Sequence, residues 1–327
     1  MSQPRVLVAS PVFPEVVQRL AGHFEIEAIA DGEAWSQEEF VRRLADKDGA
    51  LIMGGHRVDA GVIAACPRLR MVSNMSVGYN NLDVDALTAA GVQASNTPDV
   101  LTETTADFGF ALVMAAARRM LEAEKFLRAG QWKRWRYDMF AGAEVHGSTL
   151  GILGMGRIGQ GIAQRGAYGF GMEVIYHNRT RLDATIEAAC QARYVEMPAL
   201  LARADHLVLV LPYTREAHHI IGAAELACMK PTATLVNIGR GGLVDETALI
   251  AALKAGQLAA AALDVFEGEP QVNPGLLELP NVVLTPHIAS ATVPTRLAMA
   301  NLAADNLIAF FEGHGALTPV NTPAARG

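Results

Sequence analysis

Two groups of residues in this chain have types and spacings suited to chemistry. The first is Gly154-Met155-Gly156-Arg157-Ile158-Gly159, set between the short apolar run Thr149 to Leu153 and the helix-like stretch Gln160 to Tyr168. Glycines at such a strand-to-helix turn let the backbone approach a pyrophosphate closely and seat it on a helix N-terminus. The first two glycines keep the tight turn and the phosphate face clear of a Cβ, and Gly159 lets helix and strand pack closely. The second group lies in three downstream segments: Asn237 to Glu246, with Arg240 among glycines after a strand; Asp264 to Pro270, with Glu267 and Glu269; and Thr285 to Ala291, with His287 just past a strand end. Ligands of α/β sheets sit at strand ends. A histidine, with an ordinary pKa of about 6.5, exchanges protons near neutrality.

The strand after the glycine loop, Met172 to Tyr176, bears on which dinucleotide is bound. About 20 residues past the first glycine, an NAD site carries an acid for the ribose 2′-hydroxyl. This chain has His177-Asn178-Arg179-Thr180-Arg181 there, and no carboxylate before Asp183. A guanidinium binds a 2′-phosphate through charge-assisted hydrogen bonds. NADP(H) is therefore expected in preference to NAD(H), with Arg179 as principal ligand and Asn178 and Thr180 assisting. The competing reading makes Arg179 and Arg181 solvated loop charges.

The elements that position these residues follow from the pattern of apolar runs. Strand-like Val6–Ala9, Phe24–Ala28, Ala50–Met53, Met71–Ser73 and Val92–Ala94 alternate with helical Val16–Leu20, Glu38–Leu44 and Val84–Ala90. That alternation is the grammar of a parallel sheet wrapped by helices. One long helix is predicted over Thr102–Ala129, capped by Thr102, stopped by Gly130, and buried through its apolar middle at a domain junction. From residue 149 to 287 the alternation resumes, with further strands at Leu207–Leu211, Thr234–Ile238, Ala260–Leu263 and Val282–Leu284, and a last helix follows at Arg296–Phe311. The glycine loop begins only after about 150 residues, so the dinucleotide domain is read as an insertion into a first domain that the C-terminus completes. A cleft between two such domains is the expected place for a small molecule.

Composition narrows the classes. The 327 residues are 51% apolar and 19% charged, which fits a globular α/β protein of two domains and excludes a disordered one. A net charge of −7 without a basic block argues against nucleic acid as a partner. The longest strongly apolar run, Phe108–Ala117, is ten residues, too short to span a bilayer. Met1-Ser2-Gln3-Pro4-Arg5 leads straight into a strand, and Cys66, Cys190 and Cys228 match neither a zinc pattern nor a disulfide framework. A cytoplasmic location is expected. His218 and His219 are adjacent, and adjacent side chains diverge on a helix or strand, so no metal site is expected.

Six ordered motifs carry a resemblance over nearly the whole chain: Ser76–Asn81, Pro98–Asp107, the glycine loop, and the segments around Arg240, Asp264 to Pro270 and His287. The chain resembles the D-isomer-specific 2-hydroxyacid dehydrogenase family, and within it most closely the glyoxylate, hydroxypyruvate and 2-ketogluconate reductases. The resemblance implies two doubly wound parallel-sheet α/β domains, a Rossmann dinucleotide-binding domain inserted into a flavodoxin-like substrate domain. Residues 1–100 plus 290–327 form the substrate domain on this reading, and residues 101–289 the NADP-binding domain, with a dimerisation arm at about 120–147.

The implied catalytic set is Arg240, Glu269 and His287. Reduction of a 2-oxo acid needs a hydride at C2 and a proton at the carbonyl oxygen. His287 suits the proton, Glu269 would orient the imidazole from its far nitrogen, and Arg240 would bind the carboxylate and polarise the ketone. Backbone amides of Val77 and Gly78 are implied to complete the carboxylate clamp, with domain closure excluding water. Thr105, Leu211, Pro212 and Ile238 are implied to line the cofactor, and Asp264 to contact the nicotinamide carboxamide. Met53, Asn74 and Met75 are expected to set the width of the substrate pocket.

The stretch Gly130 to Phe140 is rich in aromatic and basic residues. In the related reductases this arm packs across a two-fold dimer, which implies a homodimer in which Trp135, or else Trp132, shapes the partner's pocket. The alternatives to an NADPH-dependent reductase are a non-catalytic, dinucleotide-sensing corepressor-like regulator and another family dehydrogenase such as phosphoglycerate dehydrogenase. The latter often carries a C-terminal regulatory domain, whereas only 40 residues follow His287.

Overall fold

A computed structural model of the chain describes residues 3–323; Met1, Ser2 and residues 324–327, which the sequence reading assigns to the first domain, lie outside the described residues. The chain divides into two compact units, one running to Leu101 and resuming at Ala291, the other spanning Thr102–Ser290.

Strands β1 (Arg5–Val8), β2 (Glu25–Ala28), β3 (Gly49–Ile52), β4 (Met71–Asn74) and β5 (Gln93–Ser95) build the first unit. They pair in parallel in the order β2-β1-β3-β4-β5, the flavodoxin-like doubly wound order. Every residue of β3 and β4 is buried, because helices cover both faces of such a sheet and leave no polar side. Helix Val293–Phe311 supplies one cover, packing on β3, β4 and helix Pro14–Ala21. Its start is capped by Thr292, whose side chain accepts from the Thr295 amide. Ser73 Oγ donates to the Ala303 carbonyl at 2.8 Å. Buried Asn306 holds the chain beyond that helix, accepting from the Thr318 amide at 2.9 Å, and the Val320 amide then donates to Ala94 of β5 at 2.9 Å.

The second unit carries β6 (Thr149–Leu153), β7 (Glu173–His177), β8 (Ala192–Tyr194), β9 (His206–Leu209), β10 (Thr234–Asn237), β11 (Ala260–Leu263) and β12 (Val282–Leu284). The order is β12-β11-β10-β9-β6-β7-β8, all parallel, which is the Rossmann order with one further strand. Strand order reverses between β6 and β9. Among the described residues no helix is long and apolar enough to cross a membrane.

Most elements fall within a residue or two of their predicted positions, while β8 is an addition. The predicted long helix is in fact two, Thr102–Ala117 and Met120–Arg128. Arg119 breaks it with a left-handed backbone (φ 52°). Tertiary contacts explain the break: the Ala143 amide caps the Ala117 carbonyl at 2.9 Å, and the Arg119 guanidinium pairs with Glu122 and lies over the Phe140 ring. The first of the two helices is buried against β9 to β12 of its own unit.

Candidate active site

The glycine loop sits at the reversal between β6 and β9, where doubly wound sheets bind their ligands. Each glycine has a distinct geometric reason. Gly154 has φ 100°, and a Cβ there would lie 2.7 Å from the Leu211 amide nitrogen; a Cβ on Gly159 would lie 2.5 Å from the Gly154 carbonyl oxygen. A Cβ on Gly156 would meet nothing within 4 Å, so its face is open at the start of helix Arg157–Gln164. Thr105 is buried, and its Oγ1 finds no hydrogen-bond partner among the described residues. An open cradle and an orphaned buried hydroxyl both fit a bound dinucleotide.

Several expected cofactor residues have structural duties instead of, or besides, that role. Met155 is wholly buried, and its amide donates to Asn178 Oδ1 at 2.7 Å, so Asn178 latches the loop. Ile238 is buried, and Ile158 packs against the same core cluster. Leu211 is half-buried and Pro212 exposed just past β9, and Arg157 is exposed in the first turn of its helix.

Beyond β7, Arg179 and Thr180 are exposed. Arg181 is committed elsewhere: it forms a two-bond pair with Glu187, at 2.9 and 2.7 Å, and Glu187 also accepts from Tyr176 Oη. Hydrogen bonds from Arg181 and Tyr176 hold the Glu187 carboxyl down at about 2. Hydrogen bonds from its own amide and from Thr214 lower the Glu216 carboxyl, and the charges of Arg179 and Arg215 lower it further.

The catalytic candidates converge within the second unit. His287 Nδ1 lies 2.8 Å from Glu269 Oε2, and Glu269 Oε1 accepts from the Phe266 amide at 2.9 Å. Burial raises the Glu269 carboxyl, but the His287 hydrogen bond and charge, the Phe266 amide and the Arg240 charge outweigh it and leave it below its ordinary value. Glu269 is therefore ionised at neutral pH. With Nδ1 so held, the half-exposed imidazole offers Nε2 to a reactant. His287 also has φ 53°, a strained backbone for a non-glycine residue, and such strain gathers at functional sites.

Asp264 has a role that the sequence reading did not give it. It is fully buried: Oδ1 accepts from Thr285 Oγ1 and the Ile288 amide, and Oδ2 from the Ala289 amide, at 2.7 to 2.8 Å. It thereby clamps the loop on both sides of His287. Glu246, also missed, is buried and accepts from the Glu267 amide at 2.8 Å, bracing the loop that carries Glu269.

Arg240 is placed by its neighbours. Buried Asn237 accepts from the Gly239 amide and donates to the Arg240 carbonyl, at 3.0 and 2.9 Å. Gly241 touches the next loop so closely that a Cβ would lie 1.8 Å from the Phe266 carbonyl carbon. Burial lowers the Arg240 pKa and the Glu269 charge opposes that shift; a guanidinium remains a cation throughout. The second unit thus offers a fixed cation beside an ionised Glu269 that is hydrogen-bonded to His287.

In the first unit the Val77 carbonyl accepts from Asn96 Nδ2 at 2.9 Å and the Gly78 carbonyl from Asn74 Nδ2 at 3.0 Å, which fixes the orientation of both peptides. Asn74 is fully buried in this role. Met53 and Met75 line a cavity of about 470 Å³ together with Ser10, Phe13 and Arg296.

The Rossmann unit thus carries Arg240, Glu269 and His287 beyond its strand ends, and the chain continues into a second doubly wound unit. Residues 110–289 match the NAD-binding domain of the D-isomer specific 2-hydroxyacid dehydrogenases, and the chain belongs to that family. It is 46% identical to the glyoxylate reductase of Thermococcus onnurineus over 98% of this chain and 96% of that one. It is also 46% identical to the glyoxylate reductase of Aeropyrum pernix, over 96% and 94% of the two chains. Among solved structures, the NADPH-dependent glyoxylate/hydroxypyruvate reductase of Sinorhizobium meliloti, in complex with NADP and malonate, superposes with a TM-score of 0.88. That pair is 38% identical over 100% of this chain and 99% of the other.

Proposed function

We propose that this protein reduces small 2-oxo acids, glyoxylate and hydroxypyruvate foremost and 2-ketogluconate as a further substrate, with NADPH in preference to NADH. The observation that carries the reaction is the Glu269–His287 pair beside Arg240. The bound nicotinamide supplies the hydride for C2. Arg240 holds the substrate carboxylate and draws electron density from the ketone. His287 delivers a proton from Nε2 to the carbonyl oxygen, and Glu269 balances the imidazolium from Nδ1. A carboxamide contact for Asp264 rests on the family resemblance alone.

For the cofactor, the supporting facts are exposed Arg179 and Thr180 beyond β7, in a stretch with no carboxylate before Asp183. The test is kcat/KM for glyoxylate with each cofactor. The wild type should favour NADPH, and Arg179→Ala should lose about 10- to 100-fold with NADPH, the worth of a charge-assisted hydrogen bond, while changing less than about twofold with NADH. A wild type that prefers NADH would overturn the cofactor assignment, and no turnover of any 2-oxo acid would overturn the reaction.

The arm supports a homodimer. Helix Met120–Arg128 buries none of its residues in this chain, and Trp132, Trp135 and Tyr137 beyond it are 54%, 74% and 92% exposed. Aromatic side chains left this bare are what interface centres are made of. Trp135→Ala should weaken dimerisation by about 30-fold in sedimentation equilibrium, the effect of losing one interface anchor, and raise the substrate KM. No change in either quantity would remove Trp135 from both roles.

A further inference from the structure

Outside the catalytic set, His218, His219 and Glu267 converge among the described residues, each placing a ligand atom within 4.8 Å of the others. His219 Nε2 lies 2.9 Å from Glu267 Oε2, and His218 Nδ1 lies 4.0 Å from Oε1. The two imidazoles stack at 3.8 Å between centroids and 23° between planes. Adjacent residues of a helix or strand cannot do this, which was the ground for expecting no metal here. The backbone supplies the reason. His219 has φ 52°, a left-handed conformation uncommon outside glycine, and its amide donates to the Gly242 carbonyl at 2.8 Å. Gly242 in turn leaves room beside the rings, since a Cβ there would lie 2.9 Å from Tyr213 Cε2 and 3.5 Å from His218 Nδ1.

The ion pair accounts for His219 with Glu267, and His218 Nδ1 also lies 3.1 Å from Tyr213 Oη, but neither contact requires the two imidazoles to stack. Two protonated rings at that spacing would repel, whereas two neutral imidazoles and a carboxylate are the donor set of a three-ligand zinc site. Backbone strain held in place by tertiary bonds is also the pattern of ligand clamps.

We propose that His218, His219 and Glu267 bind a divalent transition-metal ion, best matched by Zn²⁺, with water completing a tetrahedral shell. The three side chains are 43%, 34% and 45% exposed, which leaves room for that water. Binding draws the three ligands together and so ties the His218–His219 turn to Glu267, two residues before Glu269. The ion is thus a reversible brace on the loop that holds the proton-transfer pair.

Isothermal titration of the chelator-treated, full-length protein with ZnCl₂ tests this. A single ion should bind per chain, with affinity reduced at least about tenfold in Glu267→Gln and in His219→Asn, the latter chosen because asparagine suits a left-handed backbone. The His218→Gln/His219→Asn double variant should bind none at this site, while His23→Ala, a substitution at an exposed histidine of the first unit, should match the wild type. Thermal melts of each variant without metal establish that it is folded, and Zn²⁺ should raise the melting temperature of the wild type but not of the double variant. A wild type that takes up no Zn²⁺, or a folded double variant that binds it as tightly as the wild type, would overturn the proposal.

Discussion

Replacing His287 with Asn is expected to lower kcat for glyoxylate reduction by about 10²- to 10⁴-fold, the usual worth of a positioned proton donor. Asparagine is the informative choice because it tolerates the left-handed backbone that residue 287 adopts (φ 53°), so the loop clamped by Asp264 is retained. It carries no proton of suitable acidity. The dissociation constant of NADPH, read by fluorescence titration, should stay within about twofold, because the glycine loop and Arg179 are untouched. A fall in kcat of less than about tenfold would take the proton from another donor. A parallel loss of cofactor affinity would mean that the loop, not the chemistry, had been damaged.

Gly241→Ala should be the most damaging single methyl group in this region. The added Cβ would lie 1.8, 2.1 and 2.2 Å from the Phe266 carbonyl carbon, its oxygen and the Glu267 nitrogen, all of them backbone atoms with no rotamer in which to escape. Forced overpacking costs about 1–3 kcal/mol and at times more, which should lower Tm by roughly 5 °C or more. The larger consequence is geometric. Separating the two loops moves Arg240 away from Glu269, and a misplacement near 1 Å can cost about 100-fold in rate. Paired melting curves and glyoxylate kinetics read both effects. A lowered Tm with unchanged kcat/KM would show that this contact supports the fold without positioning the site.

The sequence revealed most where one residue type answers one local demand. A glycine loop after a strand and before a helix can be read without tertiary information, and Gly154 and Gly159 each stand where a side chain would collide with backbone. The parallel, helix-covered sheets follow from the alternation of elements, while the two particular strand orders came with the family resemblance. Arg240 and His287 were visible because they follow strands, and Glu269 because it sits in a motif with them. What stayed hidden depends on long-range partners. The break at Arg119 is made by Ala143 and Phe140, Asn178 is captured by the Met155 amide, and Arg181 is neutralised by Glu187. The meeting of His218, His219 and Glu267 needs a left-handed residue that no pattern of side-chain types announces. Asp264 and Glu246 were legible as acids at strand and helix ends, but their duties as braces required the opposing amides.

The return of the chain after Ser290 to cover β3 and β4, and to lie beside β5 through Val320, has a consequence for synthesis on the ribosome. The five strands that emerge first are finished last. At about 5–20 residues per second, the roughly 190 residues of Thr102–Ser290 take on the order of 10–40 s to follow them. For that time the apolar faces of β3 and β4 wait for a cover not yet translated, whereas the later-born unit has all its own strands as soon as Ser290 is made. The first unit can be completed only after the second has been translated, the reverse of the usual N-terminal-first order.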